Sequence, residues 1–282
     1  MSFAERVLKF TFSGAKSGSF SAAGLRAAVS LSSYPGRAGT TASVKIWGLT
    51  LAQMTAYSSR LASVPAGIQV EPFNLVIEAG DLGQSLTQLV DGPIFSSYID
   101  LTGAPDSAFN ITMIDVHAAA TPIEAQSAPG AQKAQDLISS ICAAGGLKFD
   151  NSAGAHAVLN NQSTYGSAID QIARCATAAK FSWKTDGKMI SIWPKNGRID
   201  DVVIDVGPNT DPAMVGYPSF SDVSLIVTSL FNQEVQIGRH MNVTSNIPNA
   251  NGLWQIVLVQ HDLTTMLPKG PWFTTARLIG VP

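Results

Sequence analysis

The stretch LWQIVLVQHDLTTMLPKGPWFTT, Leu253 to Thr275, sets a histidine beside an aspartate at the end of an apolar run. Imidazole next to carboxylate is the pairing that acid–base catalysis uses, provided the two side chains can reach each other. Here the run alternates. Val257, Val259 and His261 fall on one face, and Trp254, Ile256, Leu258 and Asp262 on the other, because successive strand residues point to opposite sides of a sheet. A regular strand therefore drives His261 and Asp262 apart. The pattern predicts a histidine at a strand end and an aspartate opening a turn.

Other reactive residue types are no better placed. His117, His156 and His240 are dispersed, without the spacing that gathers metal ligands. Cys142 and Cys175 lie in separate helical patterns, and buried, reduced thiols are expected rather than a disulfide. GAKSGSF, residues 14–20, lacks the first glycine of a phosphate loop and lies between strand patterns, so a hairpin turn is expected. Asp81, Asp91, Asp106, Asp186 and Asp211 are scattered, mostly at turns, and nominate no glycosidase pair. Trp47, Trp183, Trp193, Trp254 and Trp272 fall mostly in strand patterns, where core and interface are the usual roles. The sequence thus nominates no catalytic, cofactor-binding or metal-binding residue, and no cofactor. The competing readings are a cell-wall hydrolase of glycan or peptide bonds using His261 with a remote carboxylate, and a glycan-binding β module carried by the tryptophans.

Composition narrows the partners. Charged residues make up 13% of the 282, about half of the roughly 25% usual in soluble domains. A weakly charged surface repels its own copies little, which favours a subunit of an assembly. Net charge is -2 with no Lys/Arg run, so sequence-specific nucleic-acid binding is not expected. No apolar stretch approaches the ~18 residues of a membrane span. The beginning, MSFAERVLKFTF, lacks a signal-peptide core, so folding in a cytoplasm is expected.

Three stretches follow one another. Residues 1–120 read as β-rich: VLKFTF, GLRAAVSLSS and TASVKIWGL alternate with period two, and strands resume at PFNLVIEAG, GPIFSSYIDL and FNITMIDV. One helix interrupts them, opened by Thr50 with Gln53 as a capping box and striped by Leu51, Met54 and Leu61. Residues 118–131, rich in Ala and Pro, read as a linker. Residues 121–198 form a small α/β domain. Its first helix carries Ala134, Leu137, Ile138 and Ile141 and stops at Gly145-Gly146; LKF is a short strand. Its second helix carries Ile169, Ile172, Ala173 and Ala176, and a hairpin follows with Asp186-Gly187 as its turn. Residues 199–282 are β again. The fold class is α+β, mainly β.

The two β-rich stretches share a pattern. Asn74 corresponds to Asn242, and Ile99-Asp100-Leu101-Thr102 to His261-Asp262-Leu263-Thr264. A proline follows in each, Pro105 or Pro268, and then an aromatic four residues on, Phe109 or Trp272. This reads as two copies of one antiparallel hairpin with Asp-Leu-Thr leading into the turn.

The C-terminal part carries a resemblance to a known family. It shows Gly216-Tyr217-Pro218, Leu230-Phe231-Asn232, Ile237-Gly238, Gly252 with Trp254 and His261, and Trp272 with Thr274; KIWGLTLAQMTAYSSRL adds a strand-then-helix segment near the start. In these motifs the chain resembles the baseplate hub proteins of tailed bacteriophages. The resemblance implies two tail-tube-like antiparallel β-barrel domains flanking the small α/β domain. It implies a ring of three copies whose six barrels match a sixfold tail tube to a threefold spike and enclose the tail channel. It further implies a virion location in the tail baseplate after assembly in the host cytoplasm. The partners implied are the chain itself as a homotrimer, a tail tube or distal tail protein, a spike or tip protein, and a tape-measure protein. Some such hubs carry a lysozyme domain; no segment is left over for one, and none is expected.

Overall fold

The computed structural model describes residues 5–14, 18–58, 73–120 and 122–281. The fold is mainly antiparallel β with few helices. It divides into two compact units. One comprises Met1–Ser32, Thr41–Asp115 and His261–Phe273; the other comprises Ser33–Thr40, Val116–Gln260 and Thr274–Pro282.

In chain order the first elements are β1 (Arg6–Gly14), β2 (Gly18–Ala23), β3 (Ala27–Ser33), β4 (Thr40–Trp47), α1 (Leu51–Ala56), β5 (Asn74–Asp81), β6 (Thr87–Asp100) and β7 (Ala108–Ile114). Next come β8 (Ala128–Lys133), α2 (Ala134–Ala144), β9 (Lys148–Asp150), β10 (Val158–Gln162), α3 (Ala168–Ala179), β11 (Phe181–Asp186) and β12 (Met189–Pro194). The last are β13 (Val203–Val206), β14 (Ser219–Ser221), β15 (Ser224–Leu230), β16 (His240–Val243), β17 (Gly252–Thr265) and β18 (Trp272–Gly280).

In the first unit the strand order is β2-β1-β5-β6-β7-β4-β3, with β17 beside β3. Alternation sets the core: Leu8, Phe10 and Phe12 of β1 and Ala42, Val44 and Ile46 of β4 are buried. Burying each large side chain of this kind contributes about 1.5–3 kcal/mol. β6 serves two neighbours. Its first half pairs with β5 and its second with β7, and the register shift between Ile94 and Ser96 falls where the β7 ladder begins. An extra residue of this sort bends a strand. Phe12 of β1 and Phe109 of β7 then meet in the core, ring centroids 6.4 Å apart.

The Thr50–Gln53 capping box is present as expected, with both reciprocal bonds made. The stripe is not. Met54 is buried, but Leu51 is 61% exposed. Over its six described residues α1 is under two turns long. It rests on the core through Met54 and the capping residue Tyr57, whose ring packs on Phe12 and Phe73, and Leu51 overhangs at its start. Leu61 lies outside the described residues, as do residues 15–17 of GAKSGSF.

The second unit contains α2 and α3, whose expected stripes are all buried. Ser167 caps α3 through a box with Asp170. The expected linker is partly a strand: β8 pairs with β10. The segment before β8 is held by the fully buried Gln171. Its amide donates to the carbonyls of Glu124 and Gly166, and its oxygen accepts from the Gln126 N–H and the Thr164 hydroxyl. The β3–β4 connection also belongs here, with Arg37 ion-paired to Asp170 at 3.0 Å.

The β11–β12 hairpin pairs Asp186 with Met189, so its two loop residues are Gly187 and Lys188, one position later than expected. Gly187 takes φ 58 while Lys188 has no positive φ. Asp-Gly as a type I′ turn needs positive φ at both loop positions.

β13, β16, β17, β18 and β15 follow one another in the second unit. Residues 213–215 close the circuit: Met214 N–H donates to Gly207 O (2.7 Å) and Val215 N–H to Thr228 O (2.8 Å). The result is a small barrel filled by Val206, Leu225, Val227, Met241, Val243 and Ile256 among others. One ladder, β13 with β16, is parallel. The long connection containing β14 and β15 permits that direction.

Candidate functional site

The repeated hairpin is built as a repeat but set at different depths. In the first copy β6 ends at Asp100. Its carboxylate accepts from the Thr102 N–H (3.0 Å) and hydroxyl (2.6 Å), which holds its pKa below the usual carboxylate value. Leu101 is 57% exposed in the turn that follows. In the second copy the strand runs on past the aspartate to Thr265, so Asp262 does not open a turn. It accepts from the Ser30 hydroxyl of β3 at 2.7 Å, and Leu263 is fully buried. Turn work passes to later residues: Thr264 Oγ1 donates to Pro271 O, and Met266 and Lys269 take positive φ. The reason is β3. A strand beside β17 offers partners to the last residues of the run, and Thr265 Oγ1 also donates to Leu25 O.

His261 and Asp262 diverge as alternation requires. From Val259 to Leu263 the odd positions are buried and the even ones half-buried, although Ile256 is buried out of phase with them. His261 is 7% exposed, and burial pushes its pKa down to about 4, against the opposing pull of the Asp262 charge. It is neutral at pH 7.

The two corresponding asparagines both donate to an aspartate, but to different neighbours: the first to the strand that enters the hairpin, the second to the parallel strand on the other side. The Asn74 amide of β5 donates to Asp91 of β6, and the Asn242 amide of β16 donates to Asp205 of β13.

The remaining sequence candidates are spread through the fold. His156 is exposed and His240 is buried, its pKa lowered by burial and by Arg198. The side chain of His117 lies outside those described. Cys142 and Cys175 are free and buried, their thiols pushed up to about 12 and about 11. Trp183, Trp193 and Trp272 are buried, and Arg26 lies over Trp47 at 4.4 Å. Among the described residues no three His, Cys, Asp or Glu side chains gather to hold a metal, and no helix is long and apolar enough to cross a membrane.

What the sequence reading missed is an apolar surface. Residues 213–233 carry a single charge, Asp222. Within them Tyr217, Phe220 and Val223 are 72, 53 and 88% exposed. Phe220 meets Trp254 edge-on at 6.4 Å. The low charge of the segment was visible; its exposure was not, because strand-like runs are buried as often as they are bare.

A family profile described as Baseplate hub gp41 matches residues 7–275. The chain belongs to the baseplate hub gp41 family. It is accordingly a structural component of the phage tail baseplate. No curated protein matches this hub protein by sequence. Solved structures share its fold. A 43 kDa tail protein of prophage MuSo2 from Shewanella oneidensis aligns with a TM-score of 0.64 at 9% identity, over 98% of this chain and 97% of that one. A tail protein from Neisseria meningitidis MC58 gives 0.65 at 9% identity, over 97 and 96%. An Escherichia coli component of the type VI secretion system gives 0.58 at 11% identity, over 91 and 74%; it is described as structurally similar to the T4 tail proteins gp27 and gp5.

Proposed function

We propose that this hub protein works as a geometric adapter. Three copies form a ring, each contributing a β region from its first 120 residues and another from residues 199–282, with the α/β region of residues 121–198 between them. The six β regions match a sixfold tail tube on one side and a threefold spike or tip on the other. Tape-measure protein and then DNA pass through the enclosed channel. The chain acts without catalysis or a cofactor, in the virion tail, after assembly in the host cytoplasm.

The observation that carries this reading is the repeated hairpin, β6 with β7 and β17 with β18, each paired to the preceding strand that holds Asn74 or Asn242. Only a chain that presents similar faces twice converts three into six. Low charge supports it, since permanent interfaces exclude charged residues from their centres. The burial of His261, which also lowers its pKa to about 4, leaves the competing hydrolase with an inaccessible and weakly basic imidazole. Native mass spectrometry of the purified protein, alone and mixed with the spike and tube proteins, is expected to show three-chain species. A chain that stays single in every mixture sinks the adapter.

A further inference from the structure

We propose that the β14–β15 hairpin is where the ring meets its threefold partner, its tip of Tyr217, Phe220 and Val223 seated in an apolar pocket of the spike protein. The proposal rests on the three-copy reading and names the surface for one of its two partners.

The repeat extends beyond the two-stranded hairpin. The strand order β3-β4-β7-β6-β5 recurs as β14-β15-β18-β17-β16. The turn between β14 and β15 therefore takes the place of residues 34–39, which join β3 to β4. The two connections differ in their surroundings. The first lies against α3 and β11 of the α/β region. There Arg37 is ion-paired to Asp170 at 3.0 Å, and a Cβ added to Gly36 would sit 3.8 Å from the Trp183 ring. The second stands bare, with Val223 at its apex 88% exposed and Tyr217 and Phe220 beside it 72 and 53% exposed. Phe220 meets Trp254 edge-on, which carries the apolar surface onto the start of β17. Apolar side chains grouped in this way mark a contact surface.

Counting selects the occupant. In a ring of three, a surface shared by both β regions is displayed six times, and a surface present in only one is displayed three times. The bare tip is of the second kind, so it fits the threefold partner and not the sixfold tube. A neighbouring copy offers it no equivalent seat. Each chain has one α/β region, and that seat already holds the connection between β3 and β4. The seat also presents Asp170, and the tip carries Asp222 where the first connection carries Arg37, so like charges would meet. Because Asp222 is the sole charge in residues 213–233, the complementary surface is an apolar pocket with a cation at its rim.

The test uses the full chain together with the spike and tube proteins of its tail. Val223→Cys is labelled with a maleimide-benzophenone, the mixture is irradiated, and adducts are identified by mass. The native thiols are buried and pushed up to about 12 and about 11, so the unmodified chain serves as a silent control. A hub–spike adduct is expected. A hub–hub or hub–tube adduct overturns the proposal, as does the lack of any adduct in a mixture where native mass spectrometry finds hub bound to spike. Absence of three-chain species, or of any hub–spike complex, from the unmodified protein overturns the adapter reading and the proposal together. Independently, Val223→Lys should weaken spike binding at least tenfold with tube binding, three-chain fraction and circular dichroism unchanged. Unchanged spike binding overturns the proposal while the adapter stands. Loss of three-chain species from a folded variant assigns the tip to contact between copies and also overturns it.

Discussion

The two copies of the hairpin use the same Asp-Leu-Thr in opposite ways. After β6 it makes a solvated turn, in which Asp100 holds Thr102 and Leu101 stands in water. In β17 the same three residues lie within the strand, with Asp262 bonded across to Ser30 and Leu263 in the core. The Asp-Leu-Thr tripeptide is constant between the copies; the neighbouring strand is not. A turn signal is therefore conditional. It acts where chain pairing ends and is overridden where another strand, here β3, continues the ladder.

The largest expected contrast tests this directly. Leu263→Ala should cost about 2–5 kcal/mol, the range for emptying a core leucine site. Leu101→Ala should stay within about 0.5 kcal/mol, as surface changes do. Denaturant unfolding of both variants measures the difference, and similar losses would erase the distinction between the copies.

The next contrast lies in acid. The folded pKa of His261 is lowered to about 4 from the ordinary 6.5, so the unfolded chain takes up this proton first. Stability contributed by the neutral ring is complete above pH ~6.5 and falls as pH drops towards ~4, by about 3 kcal/mol in all. His261→Ile installs the residue type that the first copy has at Ile99. It should flatten this part of the stability–pH curve and change little at pH 7.5. A curve with the same slope in both proteins would assign the acid sensitivity elsewhere.

The smallest contrast concerns the aspartates. Ser30→Ala removes the donor to the half-buried Asp262 and should cost about 1 kcal/mol. Thr102→Ala removes only the hydroxyl donor to Asp100, which keeps the backbone N–H of residue 102 and the Lys45 ammonium at 3.8 Å, and should leave the melting temperature within error. Thermal unfolding of the pair decides it; equal shifts would mean that the partners Asp100 retains do not make up for the lost hydroxyl.

Sequence reading recovered what side-chain pattern encodes. Alternation located β1, β4, β7 and β18, and the Thr50 and Ser167 caps mark where α1 and α3 begin. The helical stripes of α2 and α3 were legible because apolar residues recur on one face. β2, β8 and β10 were not legible, since GSFSAA, APGAQK and VLNNQ lack apolar alternation and become strands through their partners. The hairpin at Gly187-Lys188 was found but placed one residue early, because glycine fixes a turn only after cross-strand pairs fix the register.

The placement of β17 and β18 bears on the order in which the molecule can be made. In the first unit, β3 receives as its neighbour a strand that ends at Thr265; in the second, β15 and β17 are joined only by way of β18, which ends at Gly280. A ribosome delivers these residues long after β3, and contacts of such separation are slow to form. Neither unit can therefore close its sheet before β17, and in the second unit β18, has left the ribosome.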